Sequence, residues 1–181
     1  LWTKTLSYDR PGYGWSDPID QPHTAKVIAE NLHSLLQNAA IETPVVLVGH
    51  SLGGLFIRYY AAIYSGEVAG MVLVDSTPDD ISAYPCLMEE QHRVEKMVSW
   101  LIPAVRIAAP LGILRILDIP ATIADMPEEI EPVSDANGFR TPAYATVIQE
   151  WNAIPVIMEE VRTLPLQEPN PRWPLAVLSQ G

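Results

Sequence analysis

Cysteine is almost absent: Cys86 is the only one in 181 residues. A single thiol excludes an intrachain disulfide framework and a zinc site of the multi-cysteine kind. It fits a reducing compartment such as the cytoplasm, although secreted proteins can also lack disulfides. Positive charge is scarce as well, with 11 Lys and Arg against 22 Asp and Glu and a formal net charge of −11. That balance argues against nucleic acid or anionic lipid as the main partner. The shortage is uneven: residues 1–60 carry 4 basic and 5 acidic groups, residues 61–181 carry 7 and 17. A clean membrane-length run is also missing. Trp100 to Leu117 is apolar but holds Arg106 and Arg115 and is broken by Pro103, Pro110 and Gly112. It reads as a lid element over an apolar pocket rather than a span. No metal-ligand spacing appears. Gly12 and Gly14 do not open a dinucleotide loop, because the third glycine would fall on Asp17 and no helix follows directly. No cofactor is therefore expected.

What the chain does have is apolar residues, 48%, and turn formers, 17 prolines and 10 glycines. That suffices for one domain with a substantial core and shows no low-complexity repeat. The chain begins at Leu1 and stops at Gly181, directly after the apolar run Leu175 to Leu178. It reads as an internal piece of a longer protein, with a processed mature chain as the other reading. Localisation and oligomeric state stay open.

Thr5 to Tyr8 reads as a strand end before the turn-rich stretch Asp9 to Pro18. Thr24 looks like an N-cap, and Val27, Ile28, Leu32, Leu35, Leu36 and Ala39 recur at helical spacing, which predicts an amphipathic helix over 24–40. Val45 to Val48 is continuously apolar and suits a strand buried on both faces, as in a parallel sheet. Gly49-His50-Ser51-Leu52-Gly53-Gly54 follows at once, then the apolar helix Leu55 to Tyr64, which Gly66 can terminate. Met71 to Val74 predicts a second buried strand, ending at Asp75. Strand, helix and strand alternating in this way mark an α/β fold. From about 80 to 170 the pattern is one of short helices broken by prolines, among them Pro85, Pro103, Pro132, Pro142 and Pro155. Leu175 to Leu178 looks like a return to the sheet.

Gly49 to Gly53 is G-x-S-x-G between a strand and a helix. A sharp strand-to-helix turn forces Ser51 into a strained backbone, and a side chain at Gly49 or Gly53 is expected to collide with the neighbouring element. The Ser51 hydroxyl then projects at a helix N-terminus, where backbone N–H groups favour negative charge. The Leu52 N–H is an expected oxyanion donor. An ordinary turn with Ser51 as a helix N-cap is the competing reading.

With Asp9-Arg10-Pro11-Gly12-Tyr13-Gly14-Trp15-Ser16 upstream and Leu73-Val74-Asp75 downstream, this motif resembles the α/β-hydrolase fold family, in the branch of esterases, haloperoxidases and epoxide-hydrolase-like enzymes. The resemblance covers about 1–80 and 173–181. It implies an α/β-hydrolase core with a mostly parallel, doubly wound sheet and a helical cap insertion, here truncated at both ends. Residues 1–79 are expected to be core with the nucleophile elbow, 80–170 the cap, and 171–181 a returning core strand. It implies Ser51 as nucleophile in a Ser-acid-His triad, and an oxyanion loop and central strand that would lie before Leu1. The isolated chain is therefore expected to fold poorly and to be inactive.

The implied base histidine is not found here. His50 lies inside the elbow as a structural or pocket-lining residue, His33 on a helix surface, His23 in a loop and His92 in the cap. In the family the acid usually follows the strand placed at 175–178, but Ser179-Gln180-Gly181 carries none. Some branches, such as certain haloalkane dehalogenases, place it one strand earlier, where Asp75 stands; the alternative is that Asp75 caps the turn of Ser76 and Thr77. Asp79 and Asp80 read as solvated loop charges, and so do Glu89-Glu90, Glu128-Glu129 and Glu159-Glu160. Serine at 51 excludes the Asp-nucleophile branches and suits acyl transfer. The expected function is a serine hydrolase that cleaves an ester-like bond of a small or medium apolar substrate. Peptidase, C–C hydrolase or perhydrolase chemistry, or a non-catalytic module binding a ligand or partner, are the alternatives.

Overall fold

Thr24 starts the first helix as its composition suggests. Its side chain accepts from the Val27 N–H at 3.3 Å, and helix α1 runs Ala25–Asn38. Glu160 adds a carboxylate at the same end, accepting from the Lys26 N–H at 3.1 Å. It is thus an N-terminal partner of α1 rather than a solvated charge, and a negative group is favoured there by the helix dipole. The helix closes at Ala40, whose φ is +50°, while the Ile41 N–H reaches back to the Leu36 carbonyl at 2.9 Å. This is a Schellman-type end with alanine where glycine is usual.

The computed structural model describes residues 4–108, 110–116, 127, 129–138, 141–164 and 173–179. The further elements are β1 (Val45–His50), α2 (Leu52–Ile63), β2 (Val68–Val74), α3 (Pro85–Ala108), α4 (Ile113–Ile116), α5 (Glu131–Gly138), α6 (Thr141–Arg162) and β3 (Leu175–Leu178). The chain divides into two compact units, Leu1–Gln21 with Gln91–Trp151, and Pro22–Glu90 with Asn152–Gly181.

The second unit contains the sheet. All three strands are parallel, in the order β1-β2-β3. Val46 pairs with Gly70 and His50 with Val74, while Met71 pairs with Leu175 and Val74 with Leu178. β2 starts three residues before the apolar run that announces it, because pairing with β1 rather than local composition sets its start. Gly70 is tightly packed: a Cβ there would lie 3.1 Å from the Pro174 carbonyl oxygen.

One core joins Ala29 and Leu36 of α1, Leu47 of β1, Ile57, Tyr60 and Ala61 of α2, and Val68 and Met71 of β2. A second joins Ala25, Ile28, Leu55 and Phe56 to Ala153, Ile157 and Val161 on α6. β1 differs from the expectation of burial on both faces. Leu47 and Gly49 are buried, but Val46 is 59% and Val48 66% exposed. α1 and α2 cover one face, and among the described residues nothing covers Val46 and Val48.

The prolines act differently from the reading of short, broken helices. α3 has 24 residues and α6 has 22, with Pro103 and Pro155 inside them. Pro85 is the first residue of α3, and Pro132 and Pro142 are second in α5 and α6. There the missing N–H has no intrahelical acceptor to lose, so proline starts a helix instead of stopping it. Pro155 is exposed, opposite the buried stripe of Ala153, Ile157 and Val161. Water can satisfy the freed carbonyl on that side while packing holds the helix on the other.

In the first unit, residues 4–10 form no strand; among the described residues they join no ladder, and an extended segment becomes a strand only by pairing. The loop that follows is tightly built. Asp9 accepts from the Trp15 N–H at 3.0 Å, and the Ser16 hydroxyl donates to the Asp9 carbonyl at 2.7 Å. Gly14 has φ +49°, and a Cβ there would sit 2.1 Å from Asp9 Oδ2. Gly12 has φ +78° and lies against Thr146 of α6. Arg10 grips Glu150 of α6 through both carboxylate oxygens at 2.8 and 2.7 Å, and Tyr13 donates to Glu150 Oε1 at 3.1 Å. Burial, and then the Glu150 charge, push the Tyr13 hydroxyl well above its ordinary pKa. Trp100, Leu111 and Ile116, expected to face a pocket as parts of a lid, are largely exposed. Leu117 and Glu128 lie outside the described residues.

Candidate functional site: the turn between β1 and α2

Ser51 joins β1 to α2 with φ +50° and ψ −124°. This is a backbone conformation that a residue with a Cβ adopts only where its surroundings impose it. The surroundings are visible. The Ser51 N–H extends the ladder past β1 and donates to the Val74 carbonyl at 3.1 Å. The Ser51 carbonyl accepts from the Gly54 N–H at 3.0 Å and the Thr77 N–H at 3.1 Å.

The glycines divide the work differently from the motif. A Cβ on Gly49 would lie 2.6 Å from the Gly53 carbonyl oxygen, so glycine is required at 49. A Cβ on Gly53 would meet nothing within 4 Å. The collision expected at Gly53 belongs to Gly54, where a Cβ would fall 2.0 Å from Ser76 Oγ and 2.6 Å from Ser76 Cβ. In the first turn of α2, residue 53 points to open space and residue 54 toward the segment after β2.

Ser51 is not an N-cap in function. Its side chain makes no capping hydrogen bond to α2. The hydroxyl is exposed, and its partner among the described residues is Thr77 Oγ1 at 3.4 Å. Leu52 is the first residue of α2, so its N–H has no acceptor within the helix. An exposed hydroxyl therefore stands at the start of a helix next to a backbone donor that has no acceptor among the described residues.

Asp75 occupies the matching place on the neighbouring strand. His50 and Val74 are in register, so the residues after them, Ser51 and Asp75, leave adjacent strand ends side by side. Both have positive φ, +50° and +44°. The Asp75 N–H donates to the Leu178 carbonyl at 2.7 Å, repeating for β3 what Ser51 does for β2. The Asp75 side chain is exposed and, among the described residues, makes no hydrogen bond to Ser76 or Thr77.

None of the four histidines bonds Ser51 or Asp75 among the described residues. His50 is exposed at the end of β1, and His23 is buried. His92 faces Glu95 at 3.6 Å within α3. His33 is more than a surface residue: its Nδ1 lies 3.1 Å from Glu67 Oε2, and its ring stacks on Tyr64 with centroids 4.2 Å apart. Glu67 also accepts from the Tyr60 hydroxyl. Desolvation raises the Glu67 carboxyl, but these hydrogen bonds outweigh it and hold it below its ordinary pKa.

Asp79 is likewise engaged, while Asp80 is the exposed loop charge expected, with a local partner. Asp79 pairs with Arg58 of α2 at 3.3 Å, and Asp80 accepts from the Ser82 N–H at 2.9 Å. Desolvation pushes Asp79 up, but Arg58 more than compensates and keeps it ionised to lower pH. The sequence reasoning missed Thr77 and the Arg10–Glu150 pair. The first follows an aspartate at a strand end and carries no motif; the second joins residues 140 apart.

Among the described residues no group of three or more His, Cys, Asp or Glu side chains could hold a metal ion. No helix among them is long and apolar enough to cross a membrane.

A parallel sheet whose strand turns sharply through a strained serine into a helix defines an α/β-hydrolase fold. The model of the alpha/beta hydrolase fold family matches residues 4–100, more than half of the chain, and the chain belongs to that family. An uncharacterized protein of Schizosaccharomyces pombe is 39% identical over 74 residues, 41% of this chain and 14% of its own length. An uncharacterized vacuolar membrane protein of Saccharomyces cerevisiae is 41% identical over 75 residues, 41% of this chain and 12% of its own. Among solved structures, a variant haloalkane dehalogenase of Agrobacterium tumefaciens superposes with TM-score 0.59 at 16% identity, over 94% of this chain and 61% of its own. An esterase of Exiguobacterium antarcticum does so with TM-score 0.54 at 20% identity, over 81% of this chain and 53% of its own. The chain thus spans less than two thirds of each of these relatives. A dehalogenase and an esterase sharing one fold leave the reaction to be argued from the site.

Proposed function

We propose that the protein carrying this chain is a serine hydrolase that cleaves an ester-like bond in a small or medium apolar substrate. The observation that carries this is Ser51: a strained backbone, an exposed hydroxyl released from helix capping, and the Leu52 N–H beside it. A serine that only ended a turn would relax into capping geometry and save the strain.

In this reading the Ser51 oxygen attacks the carbonyl carbon. Its proton passes to a histidine base supplied from outside this chain, and the Leu52 N–H donates to the oxyanion. Collapse breaks the bond to the alcohol, which takes the proton, and leaves Ser51 acylated. Water then reverses the sequence and releases the acid. Asp75 is the acid that orients the base: it leaves the strand next to Ser51, with an exposed carboxylate that no described hydrogen bond claims. The hydrophobic acyl or alcohol group rests on the apolar composition of residues 100–117 alone.

The test is turnover of p-nitrophenyl esters of graded chain length by the full-length protein, with Ser51→Ala and Asp75→Asn beside it. The expected result is hydrolysis that favours aliphatic over charged acyl groups, is abolished by Ser51→Ala and is reduced by at least about a hundredfold by Asp75→Asn. Turnover unchanged in Ser51→Ala contradicts the proposal.

A further inference from the structure

The segment that follows β2 lies against the elbow and α2: Ser76 packs on Gly54, Thr77 bonds Ser51 and Asp79 pairs with Arg58. The Ser76 hydroxyl fills the niche above Gly54, where a Cβ would lie 2.0 Å from it. The Thr77 N–H donates to the Ser51 carbonyl at 3.1 Å. Pro78 fixes its own φ and keeps Thr77 out of helical conformation. Asp79 is tied to Arg58, two turns into α2, at 3.3 Å. The Thr77 backbone is thereby anchored on both sides. Its β-branched side chain is also restricted at χ1, which narrows the directions open to the hydroxyl. It points at Ser51 Oγ, 3.4 Å away.

Ser51 needs such a neighbour. Its backbone is locked, but a serine side chain has three staggered wells and no cap bond to select one. Attack requires Oγ in a single well with its proton turned toward the base.

We infer that Thr77 is a positioning residue for Ser51: its O–H donates to Ser51 Oγ, fixes the rotamer and leaves the serine proton directed at the base. The inference rests on the serine-hydrolase reading above. The distance allows either hydroxyl to donate, and Thr77 as donor is part of the inference. If Ser51 donated to Thr77 instead, its proton would be withheld from the base, and removing the Thr77 hydroxyl would accelerate attack.

The experiment measures inactivation of the full-length protein by an alkyl fluorophosphonate, separating the limiting rate from the binding constant. It compares the parent with Thr77→Val, which keeps the shape, and Thr77→Ser, which keeps the hydroxyl. One neutral hydrogen bond sets the expected scale: Thr77→Val lowers the limiting rate roughly three- to tenfold and leaves the binding constant unchanged. Thr77→Ser stays within about twofold of the parent. An unchanged or faster rate in Thr77→Val overturns the inference. So does an equal loss in Thr77→Ser, because the hydroxyl would then not be the cause. If the parent is not labelled at all, the serine-hydrolase reading itself fails and Thr77 falls with it.

Discussion

Replacing Gly49 with alanine puts a methyl carbon 2.6 Å from the Gly53 carbonyl oxygen and 2.7 Å from its carbon. Both are backbone atoms at the start of α2, so no side chain can swing away. Relief requires β1 and α2 to separate by close to an ångström, which disturbs the bonds of Ser51 to Val74, Gly54 and Thr77. Overpacking of this kind costs about 1–3 kcal/mol, and the weakened hydrogen bonds together add about 1 kcal/mol. Gly49→Ala should therefore destabilise the full-length protein by about 2–4 kcal/mol. Gly53→Ala is the internal control. A Cβ there meets nothing within 4 Å, and alanine is the better helix former by about 1 kcal/mol. It should be neutral or stabilising. Urea unfolding with a constant slope measures both variants. If Gly53→Ala loses as much stability as Gly49→Ala, the assignment of the steric role to Gly49 and Gly54 is wrong.

Other outcomes follow from the same geometry. Ala40 sits at φ +50° on the exposed end of α1, so Ala40→Gly should stabilise the protein by up to about 1 kcal/mol, read as a higher urea midpoint, and a loss would refute the left-handed cap. Glu150 is 9% exposed and bonds both Arg10 and Tyr13, so Glu150→Gln should cost about 1–3 kcal/mol. A double-mutant cycle with Arg10→Ala should show coupling near 1 kcal/mol or more, and coupling of zero would sink the pair. The Glu67 carboxyl is depressed in the folded state, so its contribution is present above its unfolded pKa and is lost as pH falls through the folded value. The parent should thus lose stability more steeply than Glu67→Gln as pH falls below the ordinary carboxylate range; parallel profiles would remove Glu67 as a source.

The elements that depend on local pattern were legible in the sequence. Thr24, the 3.6-residue rhythm of α1, the apolar run of β1 and the turn at Ser51 each carry their signal within a few residues. What needed the structure was set by residues distant in the chain. The division of labour between Gly53 and Gly54 depends on Ser76, and the length of β2 on β1. Arg10 looks like a loop cation until Glu150 meets it. Pro103 and Pro155 read as breakers because the buried stripe opposite Pro155, which holds its helix together, is tertiary. Asp75 was visible as a strand-end carboxylate, but its positive φ beside that of Ser51 was not.

The central claim is that Ser51 is a nucleophile. Mass spectrometry of the full-length protein after reaction with a fluorophosphonate tests it most directly. The account predicts one phosphonyl adduct, mapped to Ser51 and absent from Ser51→Ala. A folded protein that forms no adduct, or forms it on another residue, would contradict it.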